Sequence, residues 1–244
     1  MVELFHALVY AHIAVGSVGL LAFWVSIVAQ KGGVNHRWWG KVFTLSMLVT
    51  GTIAIGISTC TLIAPRETHP KIDDQLVIVG IFGWMMQYLA ILTINLAWYS
   101  WQCVLNKRDH ARNRAWHNLL LQALLLIAAT NCAVRGYLIA QPLMIGISFV
   151  GFATVATNLY FILKQNPGRA DWQYEHIKGG VGAGISVYTA FFAFGAVRLM
   201  PELALHPALW AVPLTTGISL ILYHWRQVAR RFAPRPRAAA EAPG

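Results

Sequence analysis

Long apolar segments alternate with short polar segments along this chain. A helix that crosses a bilayer needs about 20 predominantly apolar residues, and seven segments reach that length. The pattern predicts an all-α polytopic membrane protein, a bundle of seven transmembrane helices within residues 1–232, followed by a disordered basic C-terminal tail at residues 233–244. The predicted spans are residues 4–30, 38–64, 75–103, 116–140, 142–164, 177–200 and 207–226.

Composition agrees with a membrane domain. Of the 244 residues, 57% are hydrophobic and 11% are charged, whereas a soluble domain carries about 25% charged residues. The net charge is +10, but the cations lie in short loops and in the tail between apolar spans, which is the pattern of a topology signal. We therefore expect the lipid bilayer as the partner and no binding of nucleic acid.

The positive charges also predict an orientation. Cytoplasmic loops of membrane proteins carry an excess of Lys and Arg. Fifteen of the 19 Lys and Arg residues fall in the 1–2, 3–4 and 5–6 loops or in the C-terminal region. The N-terminus is therefore predicted outside and the C-terminus in the cytoplasm. The cations on the outer side are Arg66, Lys71, Arg135 and Arg198.

Nine histidines are the main candidates for chemistry, because polar residues within membrane spans are costly and often functional. A b-type haem needs one or two axial histidines on facing helices, together with small residues that admit the porphyrin. His12 shares a stripe of the first span with Gly16 and Gly19, and glycines follow the histidine that opens the sixth span. The candidate cofactor ligands are His12, His117, His176 and His224.

Polar side chains mark one face of the third span and one of the fourth. Asn131 and Arg135 lie within about 40° of His117 on a helix with 3.6 residues per turn. In the third span, Asn95 and Gln102 are seven residues apart. The predicted polar interior contains Asn95, Asn131 and Arg135, and a cavity, a quinone or haem pocket, or interhelical hydrogen bonds would each account for it.

Other chemistries are discounted because their motifs are absent from the sequence. The chain has no HExxH and no CxxC motif, and we predict no metal site. The three cysteines lie in or beside apolar runs, as small apolar core residues do. The seventh span has no lysine for a retinal Schiff base, and no glycine-rich phosphate loop is present. No catalytic residue is identified.

The first two spans carry a pattern that consists of His12-x-x-x-Gly16 followed by His36-Arg37-x-x-Gly40-Lys41. This pattern resembles an uncharacterised family of bacterial polytopic membrane proteins, a domain-of-unknown-function group, and the resemblance is good over residues 5–55. The resemblance implies a multi-pass protein of the bacterial cytoplasmic (inner) membrane and brings no established activity.

The two halves of that pattern are predicted to lie at opposite membrane faces. His12 is placed toward the outer face, whereas His36 lies at the cytoplasmic boundary beside Trp38 and Trp39. Tryptophan prefers the headgroup level of a bilayer. We interpret residues 36–41 as a topology anchor and an interfacial belt.

Two classes of function follow from these observations. The first is a membrane redox or cofactor-binding protein that holds a b-type haem or a quinone through its histidines. The second is a non-enzymatic membrane protein, such as a small-solute transporter, a sensor, or an accessory subunit of a membrane complex. In that case histidines and Arg135 would line a polar path or form pH-sensitive contacts. Association with other membrane subunits or with further copies of the chain is compatible with both classes.

Overall fold

The computed structural model describes residues 1–195 and 207–233. These residues are predominantly helical, and no β-strand occurs among them. The predicted all-α class is therefore confirmed. The long helices in the described residues are α1 (Val2–Val28), α2 (Val34–Ile63), α3 (Gln75–Leu105), α4 (Trp116–Leu138), α5 (Pro142–Leu163), α6 (Asp171–Ala190) and α7 (Pro207–Phe232).

Five of these helices, α1 to α5, have the length and apolar composition that membrane crossing requires. The remaining two carry more polar and charged residues. α6 begins at Asp171 and includes Glu175 and Lys178 in its first turns, and α7 carries Arg230 and Arg231 in its last turn. The chain is therefore an all-helical protein with five candidate membrane-spanning helices, and membrane crossing by α6 and α7 stays a prediction.

Part of the sequence-based prediction lies outside the described residues. The predicted sixth span continues through residues 196–200, and the outer cation Arg198 falls in this segment. Residues 234–244 of the predicted tail are also outside the described residues.

Capping side chains define the ends of several helices. Asp74 precedes α3, and its Oδ1 accepts hydrogen bonds from the backbone N–H groups of Leu76 (2.8 Å) and Val77 (3.3 Å). The Arg114 guanidinium donates to carbonyl oxygens at the end of α5, with a distance of 3.1 Å to that of Lys164. Backbone groups at helix ends have no partner within the helix, so both contacts satisfy groups that would otherwise remain unpaired.

Helix α3 lies at the centre of the bundle. It contacts α2, α4 and α6, whereas α1 packs against α2, α5 against α4, and α7 against α6. It is also the most buried of the five candidate spans. Its Tyr88 is buried, and the Tyr88 hydroxyl donates to the Ile147 carbonyl oxygen of α5 at 2.8 Å. Side chains of α3 therefore meet partners on most sides.

Glycine permits the close contact at the turn between α4 and α5. A Cβ atom at Gly136 would lie 2.6 Å from Met144 Cβ and 3.1 Å from the backbone nitrogen of Ile145. Small residues let helices approach closely in lipid, where packing drives helix association. At Gly146, two residues further along α5 than Met144, no neighbouring atom lies within 4 Å of the equivalent position.

We expect Gly136→Ala to destabilise the protein by about 1–3 kcal/mol, because the added methyl group overpacks a rigid contact. The matched control is Gly146→Ala, which should leave stability unchanged or raise it by up to about 1 kcal/mol through helix propensity. Thermal unfolding of the detergent-purified variants measures both effects. Equal losses in the two variants would contradict this account of the turn.

Candidate cofactor site

The turn between α1 and α2 brings His36 back onto the end of α1. This turn passes through Gly32, whose φ of 78° lies in the left-handed region that favours glycine. His36 Nδ1 lies 3.0 Å from the carbonyl oxygen of Ser26. A carbonyl oxygen only accepts hydrogen bonds, so Nδ1 carries the proton, and Nε2 of the neutral ring keeps its lone pair.

Lys31 covers the same end of α1. Its ammonium group donates hydrogen bonds to the carbonyl oxygens of Ser26 (3.1 Å) and Ile27. Burial lowers the pKa of Lys31, because the charged form loses solvation there. None of the ion pairs formed by the described residues includes Lys31. The site is therefore electropositive at this end.

His176 lies in the second turn of α6 and is held by Ser100 of α3. Its Nδ1 is 2.9 Å from the Ser100 hydroxyl oxygen and 3.1 Å from the Ser100 carbonyl oxygen. The Ser100 hydroxyl donates its own proton to the His176 carbonyl oxygen at 2.9 Å. Nδ1 is therefore the donor toward Ser100, and Nε2 again keeps the lone pair.

The rings of His36 and His176 lie close together at this end of the bundle. Their centres are 6.3 Å apart and their planes are nearly perpendicular, at 89°. Two imidazoles that bind one metal ion from opposite sides, at metal–nitrogen distances of about 2 Å, have ring centres about 6 Å apart. Hydrogen bonds from Nδ1–H to backbone carbonyls commonly orient metal-binding imidazoles. The separation and the tautomers are therefore compatible with His36 and His176 as residues that would hold one metal centre through Nε2.

His224 of α7 is a third imidazole at this end. It is buried, and within the described part of the chain its Nε2 has no hydrogen-bond partner. Charge interactions connect it with Lys31, His36 and Arg231. A ligand that carries negative charge would be favoured among these cationic and neutral groups.

The donor set at this end of the bundle includes a pair of imidazoles. Across residues 1–195 and 207–233, no three His, Cys, Asp or Glu side chains are grouped so that they could hold a metal ion. Protein zinc sites use three or four protein ligands, whereas a haem iron takes only one or two axial ligands from the protein. A pair of histidines is sufficient for the haem.

Of the four histidines predicted as ligands, His12 lies away from this site. Its Nδ1 is 3.2 Å from the Thr50 carbonyl oxygen, and Thr50 is about 21 Å along α2 from His36 at 1.5 Å per residue. The adjacent glycine stripe packs α1 against α2. A Cβ atom at Gly19 would lie 2.3 Å from the side chain of Met47. At Gly19 the glycine stripe therefore allows α1 and α2 to pack closely.

His117 lies on another side of α3. Its ring centre is 6.1 Å from that of Trp98, whereas His176 contacts Ser100. Ser100 follows Trp98 by two residues, and at 100° per residue its side chain lies about 200° around the helix from that of Trp98. His117 and His176 are thus separated by α3 itself. Of the four predicted ligands, His176 and His224 lie at this end of the bundle, and His12 and His117 lie elsewhere.

The predicted polar interior divides into two separate contacts. Asn95 is fully buried, and its Nδ2 donates to the Leu121 carbonyl oxygen at 3.1 Å. Its Oδ1 accepts a hydrogen bond from Asn158 Nδ2 of α5 at 3.2 Å. Arg135 instead donates to Asn131 Oδ1 at 3.1 Å. Asn131 and Arg135 therefore form a contact of their own within α4.

Arg135 has a second interaction, with Trp84 of α3. Its guanidinium carbon lies 4.2 Å from the centre of the Trp84 ring, a cation–π contact. The stripe predicted along α4 therefore does not bring Arg135 to Asn95.

Sequence reasoning missed His36 and Asn158. His36 was interpreted as part of an interfacial belt, although the predicted topology places it on the same side as His176 and His224. That shared depth is the signal that could have identified it. Asn158 is a fully buried amide in a mostly apolar span. A buried amide in a membrane span is energetically costly, and this cost is the signal that could have identified Asn158.

Comparison of the chain with models of protein families, with curated proteins and with solved structures finds no match.

Proposed function

We propose that this protein is a multi-pass redox protein of the bacterial cytoplasmic membrane, and that it binds a b-type haem through His36 and His176. The observation that supports the proposal is the pair of imidazoles with ring centres 6.3 Å apart. Each ring is tied to a backbone carbonyl oxygen through Nδ1. A bound b-type haem supplies one-electron transfer.

Other residues of the chain orient the His36 and His176 side chains. The carbonyl oxygens of Ser26 and Ser100 accept hydrogen bonds from Nδ1–H of His36 and His176, respectively. These hydrogen bonds fix the orientation of each ring and raise the basicity of its Nε2. Lys31 stands at the same end of the bundle and bears a positive charge. A nearby cation favours the carboxylate groups that a haem carries.

The proposal includes a seven-span topology with the N-terminus outside. The alternation of positive charge along the sequence supports it. In this arrangement α6 and α7 cross the membrane together with the five candidate spans. His36, His176 and His224 then lie near the cytoplasmic surface, where a soluble electron donor or acceptor can approach.

We expect the protein purified in mild detergent, after expression with sufficient haem, to show a Soret band that shifts on reduction with dithionite. His36→Ala and His176→Ala should each lower the haem content at least about tenfold, because each removes an axial ligand. His12→Ala and His117→Ala are the matched controls and should keep the band. The absorption spectrum and the haem-to-protein ratio measure these effects on monodisperse variants.

A colourless, iron-free preparation would overturn the haem proposal. If organic extraction of such a preparation yields a quinone, the cofactor is a quinone instead. A colourless preparation without quinone would favour the transporter, sensor or accessory-subunit class. A Soret band that persists in both the His36 and the His176 variant would show that other residues are the ligands.

The topology has a separate test with reporter fusions. Green fluorescent protein fused after Arg237 should fluoresce, because it folds in the cytoplasm, and alkaline phosphatase inserted after Lys71 should be active, because it needs the periplasm. Inactive phosphatase at Lys71 together with a dark fusion at Arg237 would reverse the orientation.

A further inference from the structure

A small cavity lies inside the bundle, between α3, α4 and α5. Its volume is about 10 Å³. A cavity needs roughly 10–15 Å³ on this measure to hold one water molecule, so this cavity accommodates one water and nothing larger. Its lining residues include Tyr99, Gln102, Asn118, Gln122 and Ile162.

The amide groups that line the cavity are buried and have unused hydrogen-bonding capacity. Gln122 is 3% exposed and Gln102 is 9% exposed. Their Oε1 atoms accept hydrogen bonds from Asn158 (3.4 Å) and Asn106 (3.1 Å), respectively. The hydrogen bonds that these two side chains make within the described residues use their Oε1 atoms. Their NH₂ groups are therefore available to donate to a molecule bound in the cavity.

Tyr99 also lines this cavity. Its hydroxyl donates its single proton to Glu175 Oε2 of α6 at 2.5 Å, so the phenolic oxygen retains lone pairs that accept hydrogen bonds. Glu175 is also paired with Lys178, whose ammonium lies 5.2 Å from the centre of the Tyr99 ring. Tyr99 therefore connects the cavity lining with the charged pair on α6.

We propose that one water molecule is bound in this cavity as a structural ligand. It accepts hydrogen bonds from the NH₂ groups of Gln102 and Gln122 and donates one to the Tyr99 oxygen. Three hydrogen bonds are typical of a buried water. The water joins the Asn95–Asn158–Gln122 amides to the Tyr99–Glu175 pair.

The water lies close to the candidate cofactor site, because Glu175, the partner of Tyr99, directly precedes His176. Toward the Tyr99–Glu175 pair it acts as a hydrogen-bond donor to the Tyr99 oxygen. The proposed water does not depend on the identity of any cofactor, since its partners are side chains of the protein alone.

X-ray hydroxyl-radical footprinting in H₂¹⁸O tests the proposal, because bound water generates radicals next to buried side chains. Tyr99 is 4% exposed and Tyr88 is 1% exposed, both lie on α3, and only Tyr99 lines the cavity. We expect oxidation of Tyr99 at least about tenfold faster than that of Tyr88, as a buried water contacts only the former. The exposed Tyr160 serves as the positive control.

Two variants complete the test. Gln122→Met removes one anchoring NH₂ group, and Ile162→Phe fills the cavity from α5 without removing a polar group. Oxidation of Tyr99 should fall to the Tyr88 rate in each folded variant, whereas oxidation of Tyr160 should not change. Tyr99 oxidation no faster than that of Tyr88 in the unmodified protein would overturn the proposal. So would a Tyr99 rate that neither variant lowers.

Discussion

The close contact between α3 and α6 is the constraint on which the described arrangement depends. A Cβ atom at Gly179 would lie 3.0 Å from both the Leu96 carbonyl oxygen and Ser100 Cβ, so a methyl group there would push the two backbones apart by a few tenths of an ångström. Because the two backbones are so near, Ser100 hydrogen-bonds His176 with its hydroxyl and its carbonyl oxygen. The small residue at Gly179 therefore supports the contact that orients the histidine.

A bilayer around the candidate spans would account for the polar contacts that α3 makes. Hydrocarbon does not satisfy an N–H or an O–H group, so polar side chains within the bundle pair with one another or with carbonyl oxygens. Thr93 and Ser186 join α3 to α6 through their hydroxyl groups, 2.6 Å apart. Asn95 and Asn158 join α3 to α5. The polar groups therefore specify which helices are neighbours, whereas apolar packing alone would tolerate several arrangements.

How far the candidate site could be predicted differs from residue to residue. His176 could be identified from the sequence because it lies at the start of a predicted span and is followed by glycines. At Gly179, however, the small residue allows close packing against α3. His36 is not among the predicted ligands because the cations and tryptophans beside it are typical of a membrane boundary. A linear pattern does not reveal that the turn at Gly32 folds His36 back against Ser26. His12 is a polar residue beside a glycine stripe, which suggested a cofactor site. Such a stripe is equally typical of close helix packing.

The sequence by itself determined the all-helical class and the approximate helix boundaries. These properties depend on local features, namely the length of apolar runs, prolines at helix starts and charges in loops. The tertiary structure decided which histidines meet. Each residue rotates the side chain by 100° around the helix, so Trp98 and Ser100 lie at nearly the same depth and contact different neighbours. Depth can be read along a chain, but the direction of a side chain depends on which helices surround it.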